Sequence, residues 1–162
     1  GREAWADPSL GHRSVLCTPR DRDSARELAL RIGRNVHLPA TTLIPASLAP
    51  RYLDHLARVG EPARFGSVLV EATATAEAEI PGAILPGSLI RPQLVTEDES
   101  PSLYRLLVRF GETTGVPVLL SHDLSPDAAS SVDPAARAVR ILAEGRIDAL
   151  IVGDRLVQRG NG

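Results

Sequence analysis

The chain has 162 residues, 43% hydrophobic and 23% charged, enough for one ordinary domain with a core and too apolar for a disordered segment. Its formal net charge of −2 leaves no basic footprint for nucleic acid. No apolar run approaches the roughly 20 residues of a membrane helix.

The opening GREAWADPSL is polar and has no signal-peptide core, and with no Met at position 1 a start inside a longer polypeptide is expected. One cysteine, Cys17, cannot form an internal disulfide, which fits a cytoplasmic protein. All 18 basic residues are arginine. An anion bound here must therefore be held by guanidinium groups, backbone N–H groups or helix N-termini, not by a lysine amine.

In chain order, Ser14 to Thr18 reads as a strand that Pro19 ends. Asp21 or Asp23 can cap a helix whose apolar face is Ala25, Leu28, Ala29 and Ile32, with Gly33 as its stop. Residues 36–45, punctuated by Pro39 and Pro45, read as extended and suit an edge strand. Residues 47–60 read as a helix with Leu53, Leu56 and Ala57 on one face. Ser67 to Ala72 reads as a strand, and residues 73–87, rich in small residues, Pro and Gly, as a loop. Leu89 to Thr96 is extended on both sides of Pro92.

Residues 98–114 give the clearest helix. Ser100 or Pro101 opens it, Leu103, Leu106, Leu107 and Phe110 form its stripe, and Gly115 closes it. Val116 to Leu120 reads as a buried strand, and these apolar groups are expected to share one core with Val118 and Leu120. Residues 121–133 read as a polar loop. Pro134 opens a helix bearing Ala138, Ile141 and Leu142. Two short strands then meet at Gly153-Asp154. Strands alternating with helices, without a repeat or linker, predict a single α/β domain over residues 1–162 with a mixed sheet.

Three stretches carry a family resemblance: GREAWADPSLGHRSVLCTPRD, IRPQLVTEDESPSLYRLLVRFGETTGVPVLLSHDLS and AARAVRILAEGRIDALIVGDRLVQRG. In this order they resemble the C-terminal, YrdC-like domain of the O-carbamoyltransferases that act on nodulation factors and antibiotics. The resemblance implies a twisted mixed sheet with flanking helices. It implies binding of ATP, Mg²⁺ and carbamoyl phosphate to form a carbamoyl-adenylate. It also implies a preceding actin-like domain that holds iron or another metal and passes the carbamoyl group to an acceptor hydroxyl of a small natural product. Neither nucleic acid nor membrane is an expected partner. A non-catalytic paralogue with a structural or regulatory role is the alternative.

The resemblance assigns substrate-binding residues but no catalytic one. Arg91, in Arg91-Pro92-Gln93, matches the family's substrate-binding arginine, and its fork suits a phosphate or carboxylate; from residues alone it reads as a surface arginine at a strand end. Arg13 and Ser14, in Leu10-Gly11-His12-Arg13-Ser14, match positions near the domain junction. There a turn entering the first strand and a close backbone approach to ligand are equally open readings. Ser121 and Ser125 can donate to phosphate oxygens. Asp123 replaces the family's phosphate-contacting serine. A carboxylate about 4 Å from an anion would oppose it by roughly 4 kcal/mol at an effective dielectric near 20. His122 reads as part of an exposed polar loop, with no second ligand at metal spacing. Arg20 reads as a helix-capping or ion-pairing residue.

Overall fold

In the computed structural model residues 10–124 and 134–158 are described. The elements run β1 (Ser14–Cys17), α1 (Ser24–Ile32), β2 (Thr41–Pro45), α2 (Ala49–Tyr52), α3 (Leu56–Val59), β3 (Val70–Glu71), α4 (Ala74–Glu79), β4 (Leu89–Ile90) and β5 (Pro92–Val95). α5 (Pro101–Thr114), β6 (Leu119–Asp123), α6 (Pro134–Ala143), β7 (Ala149–Val152) and β8 (Arg155–Gln158) follow. The central sheet has strand order β1-β6-β2-β5. β6 pairs antiparallel with β1 and β2, while β2 and β5 run parallel. The sheet is therefore mixed, and helices flank it, as the alternation of elements predicts.

Alternating side chains give the sheet two apolar faces. On one, Leu43, Val95 and Leu119 pack with Leu103 and Leu107 of α5. On the other, Ile44 and Leu120 join Tyr52, Val70, Ala76, Ile80, Ile90 and Val118. A third cluster joins Val15 to Leu28 and Ile32 of α1 and to Ile141 and Leu142 of α6.

Several sequence expectations are corrected. The single core splits, because Leu119 and Leu120 face opposite ways: Leu103 and Leu107 lie with Leu119, while Val118 and Leu120 belong to the other face. Leu106 is 38% exposed and Phe110 only flanks the cluster, so the buried stripe of α5 is narrower than its apolar sequence. β2 is an interior strand, not an edge, and all five of its residues are buried. Pro39 lies before it and Pro45 ends it, so neither proline removes a donor from its middle.

The expected helix over 47–60 is broken between α2 and α3. Leu53 turns extended and bridges Ala72, and the Asp54 N–H donates to the Glu71 carbonyl at 2.9 Å, so local sheet pairing replaces the next helical turn. His55 follows with φ 54°. The strand expected over 67–72 shrinks to β3. The expected loop after it holds α4, because Thr73 caps an alanine-rich run by accepting from the Ala76 N–H at 3.1 Å. β6 is displaced along the chain from the expected 116–120 to Leu119–Asp123. Its polar end, Ser121 to Asp123, has ladder partners on β1, and that pairing outweighs side-chain polarity.

No helix of the described residues is long and apolar enough to cross a membrane.

Candidate functional site

The register brings four of the expected site residues to one face of the sheet. Ser121 lies opposite Leu16 on one side and Thr41 on the other. Asp123, two residues on and so on the same face, lies opposite Ser14. Thr42 pairs with Pro92, and the Thr42 N–H donates to the Arg91 carbonyl at 2.8 Å. This places Arg91 beside Thr41. A polar row thus runs from Arg91, just before β5, through Thr41 on β2 to Ser121 on β6, with Ser14 and Asp123 in the row beyond.

Backbone carbonyls hold Arg91. Its Nε donates to the Gly66 carbonyl at 2.6 Å and its Nη1 to the Pro39 carbonyl at 3.3 Å. No acidic side chain among the described residues pairs with it. Two neutral carbonyls fix the guanidinium without neutralising it, and Nη2 lies outside both bonds. Gly66 makes the arrangement possible: its φ is +65°, and a Cβ there would lie 3.1 Å from Thr41 Cγ2.

Asp123 does not project from a loop. Arg34 Nη1 donates to its carbonyl at 2.9 Å and lies 3.5 Å from its Oδ2, with side chains 9% and 20% exposed. Ser121 is buried in β6. Ser14 Oγ donates to the His12 carbonyl at 3.3 Å. Arg13 precedes β1 in an exposed position with φ 55°. Ser125 and the opening motif up to Ser9 lie outside the described residues.

His122 is corrected from an exposed loop residue to a buried one. It is 4% exposed, on the opposite face from Ser121, with Nε2 3.1 Å from the Ala25 carbonyl of α1. A carbonyl only accepts, so Nε2 carries the hydrogen. Burial holds its pKa below the ordinary value, and the Ala25 bond works against this shift. Cys17 is a core thiol whose pKa burial pushes up to about 11. Among the described residues no group of three His, Cys, Asp or Glu side chains could share a metal ion.

Thr41, Gly66, Arg34 and Gln93 join the site without having been singled out from the sequence. Gln93 alone had a signal, as the third residue of the Arg91-Pro92-Gln93 motif. It is 6% exposed, and its Nε2 donates to the Leu10 carbonyl at 2.9 Å.

An uncharacterized protein of Methanocaldococcus jannaschii is 23% identical over 159 residues, which is 98% of this chain and 26% of that relative. The chain therefore spans about a quarter of the length of the relative it matches. The profile described as carbamoyltransferase C-terminus matches residues 1–159, nearly the whole chain, and the chain belongs to that family.

Proposed function

We propose that this domain holds the anionic carbamoyl donor of a carbamoyltransferase, carbamoyl phosphate with ATP, on the row Arg91, Thr41 and Ser121. The observation that carries the reading is Arg91. It is half-buried, fixed by two backbone carbonyls and, among the described residues, not neutralised by a carboxylate. Such a cation is pre-organised for a phosphate, because little side-chain freedom is lost on binding. Ser121 and Thr41 would donate hydroxyl hydrogens to the same anion, and Ser125, outside the described residues, would be a further donor. Arg13 and Ser14 would bound it at β1.

Within the described residues nothing fits a protein-held Mg²⁺, since Asp123 is engaged by Arg34. Mg²⁺ would enter on the nucleotide phosphates. Water would cleave carbamoyl phosphate to carbamate and phosphate, and the carbamate oxygen would attack the ATP α-phosphorus, giving a carbamoyl-adenylate with pyrophosphate leaving, chiefly through positioning and charge neutralisation. The acceptor hydroxyl, a small natural product in this reading, would be served by a preceding actin-like domain with its own iron or other metal. The working site would be cytoplasmic.

A non-catalytic role is the second reading. It is favoured by Asp123, which spends its carboxylate on Arg34 instead of offering a hydroxyl to phosphate.

Calorimetric titration with carbamoyl phosphate and with Mg²⁺-ATP tests the proposal. Arg91→Ala should weaken binding at least tenfold without loss of the fold. Unchanged affinity in Arg91→Ala, or no binding of either ligand by the native protein, would overturn it.

A further inference from the structure

Residues 10–13 form a strap across the sheet. At one end the Leu10 carbonyl accepts from Gln93 on β5, one edge strand. At the other end Ser14 opens β1, the opposite edge strand. Between them Gly11 lies against Leu43 and Leu103, so closely that a Cβ would come 2.6 Å from Leu103 Cδ2. The strap therefore passes over β2 on the face that carries Arg91, Thr41 and Ser121.

The strap is held in a conformation that its residues do not choose. Leu10 and Arg13 have φ of 51° and 55°, on either side of Gly11 at 80° and His12. Non-glycine residues adopt such values when their surroundings impose them. Two polar ties do so here: the Gln93–Leu10 bond, and a 3.1 Å contact between His12 Nε2 and Ser100 Oγ at the start of α5.

Gln93 makes an incomplete core residue. Its Oε1 is buried and finds no donor among the described residues. The orientation of the amide is not interchangeable, because the Leu10 carbonyl needs the N–H₂ end. A methionine of the same length would fill the space and remove the orphaned Oε1, but it would leave the Leu10 carbonyl without this donor. What the amide supplies that methionine cannot is the bond to Leu10.

We propose that Gln93 is a positioning residue for the anion site: its amide fixes Leu10, and the strap thereby sets Arg13 beside Ser14 and Asp123. This rests on the reading that Arg91 and Arg13 serve a bound anion. Gln93 touches no substrate; it acts through Arg13.

The test is a double-mutant cycle read by calorimetry with carbamoyl phosphate, with thermal unfolding of each variant alongside. Gln93→Met should weaken binding about fivefold or more while the unfolding temperature stays level or rises. In an Arg13→Ala background the same change should alter affinity less than twofold. Ser100→Ala, which cuts the second tie, should repeat the pattern on a smaller scale. A purely structural role for Gln93 would instead lower the unfolding temperature and leave the folded protein's affinity unchanged. Full affinity in Gln93→Met, or an effect undiminished by Arg13→Ala, overturns the proposal while the anion site at Arg91 stands. If Arg91→Ala also binds normally, the functional reading falls, and this proposal with it.

Discussion

Arg34 grips Asp123 from two sides: its Nη1 donates to the Asp123 carbonyl at 2.9 Å and faces the Asp123 carboxylate at 3.5 Å. The pair ties the chain just after α1 to the end of β6. It also changes what Asp123 means for the site. A bare carboxylate in the family's serine position would repel an anion strongly, but a guanidinium this close offsets most of that field.

Two effects of Asp123→Ser follow. The change removes the carboxylate facing a guanidinium only 9% exposed, so stability should fall by about 2 kcal/mol. Carbamoyl phosphate should bind more tightly, but only severalfold, because the lost charge was already compensated. Urea unfolding and calorimetry on both forms check this. A thousandfold gain in affinity would mean that Arg34 does not shield the carboxylate.

The helix phase of α5 gives a second prediction. Leu107 is fully buried in the cluster with Leu43, Val95, Leu103 and Leu119, and Leu106 is 38% exposed. Leu107→Ala should cost about 2–5 kcal/mol and Leu106→Ala less than about 1 kcal/mol. Equal costs in urea unfolding would contradict the observed packing.

Stability should depend on His122 in mildly acidic solution. Its folded pKa is depressed, chiefly by burial, so the unfolded chain binds the proton more readily. The stabilisation is therefore complete above the unfolded pKa, about 6.5, and is lost as pH falls from there towards the folded value. Unfolding free energies between pH 7.5 and 5.5 should decline, and His122→Gln should show a flatter slope. Identical slopes would count against a neutral, buried imidazole.

Cys17 should be chemically quiet. Burial lifts its pKa from 9.0 to about 11, which lowers the thiolate fraction roughly a hundredfold. A disulfide reagent at pH 8 should modify the native protein far more slowly than the protein in denaturant. Comparable rates would show an open thiol.

The sequence was most legible where pattern and packing coincide. α1 and α6 occur where their apolar spacing puts them, and β7 and β8 meet at Gly153-Asp154. It was least legible where backbone pairing overrides side-chain character. Ser121, His122 and Asp123 look like a loop by polarity, yet two of them are buried in a strand. The break at Leu53 depends on a bridge to Ala72, nineteen positions away, which no local window contains. At the proposed site, Arg91 is nominated by its motif. Its carbonyl partners at Pro39 and Gly66 are set by tertiary structure alone. The same holds for Arg34, which reaches Asp123 across 89 positions of chain.

Thr42 supplies the last prediction. It sits in the middle of the sheet, opposite Pro92 on β5 and Leu120 on β6, with no exposed surface. Its side chain lies on the face of Ile44 and Leu120, away from the polar row, and its Oγ1 finds no hydrogen-bond partner among the described residues. A buried hydroxyl that makes no bond in the folded state has lost its hydrogen bonds to water without replacement. Valine has nearly the same shape and the same β-branch, so it suits the strand and exchanges the hydroxyl for a methyl group. Thr42→Val should therefore stabilise the protein by about 1 kcal/mol, where most core substitutions destabilise. Because the change lies on the far face, binding of carbamoyl phosphate should be unaltered. Thermal unfolding decides the first point and calorimetry the second. A clear loss of stability would show that Thr42 has a polar partner in solution, and a change in affinity would show that the two faces of the sheet are coupled.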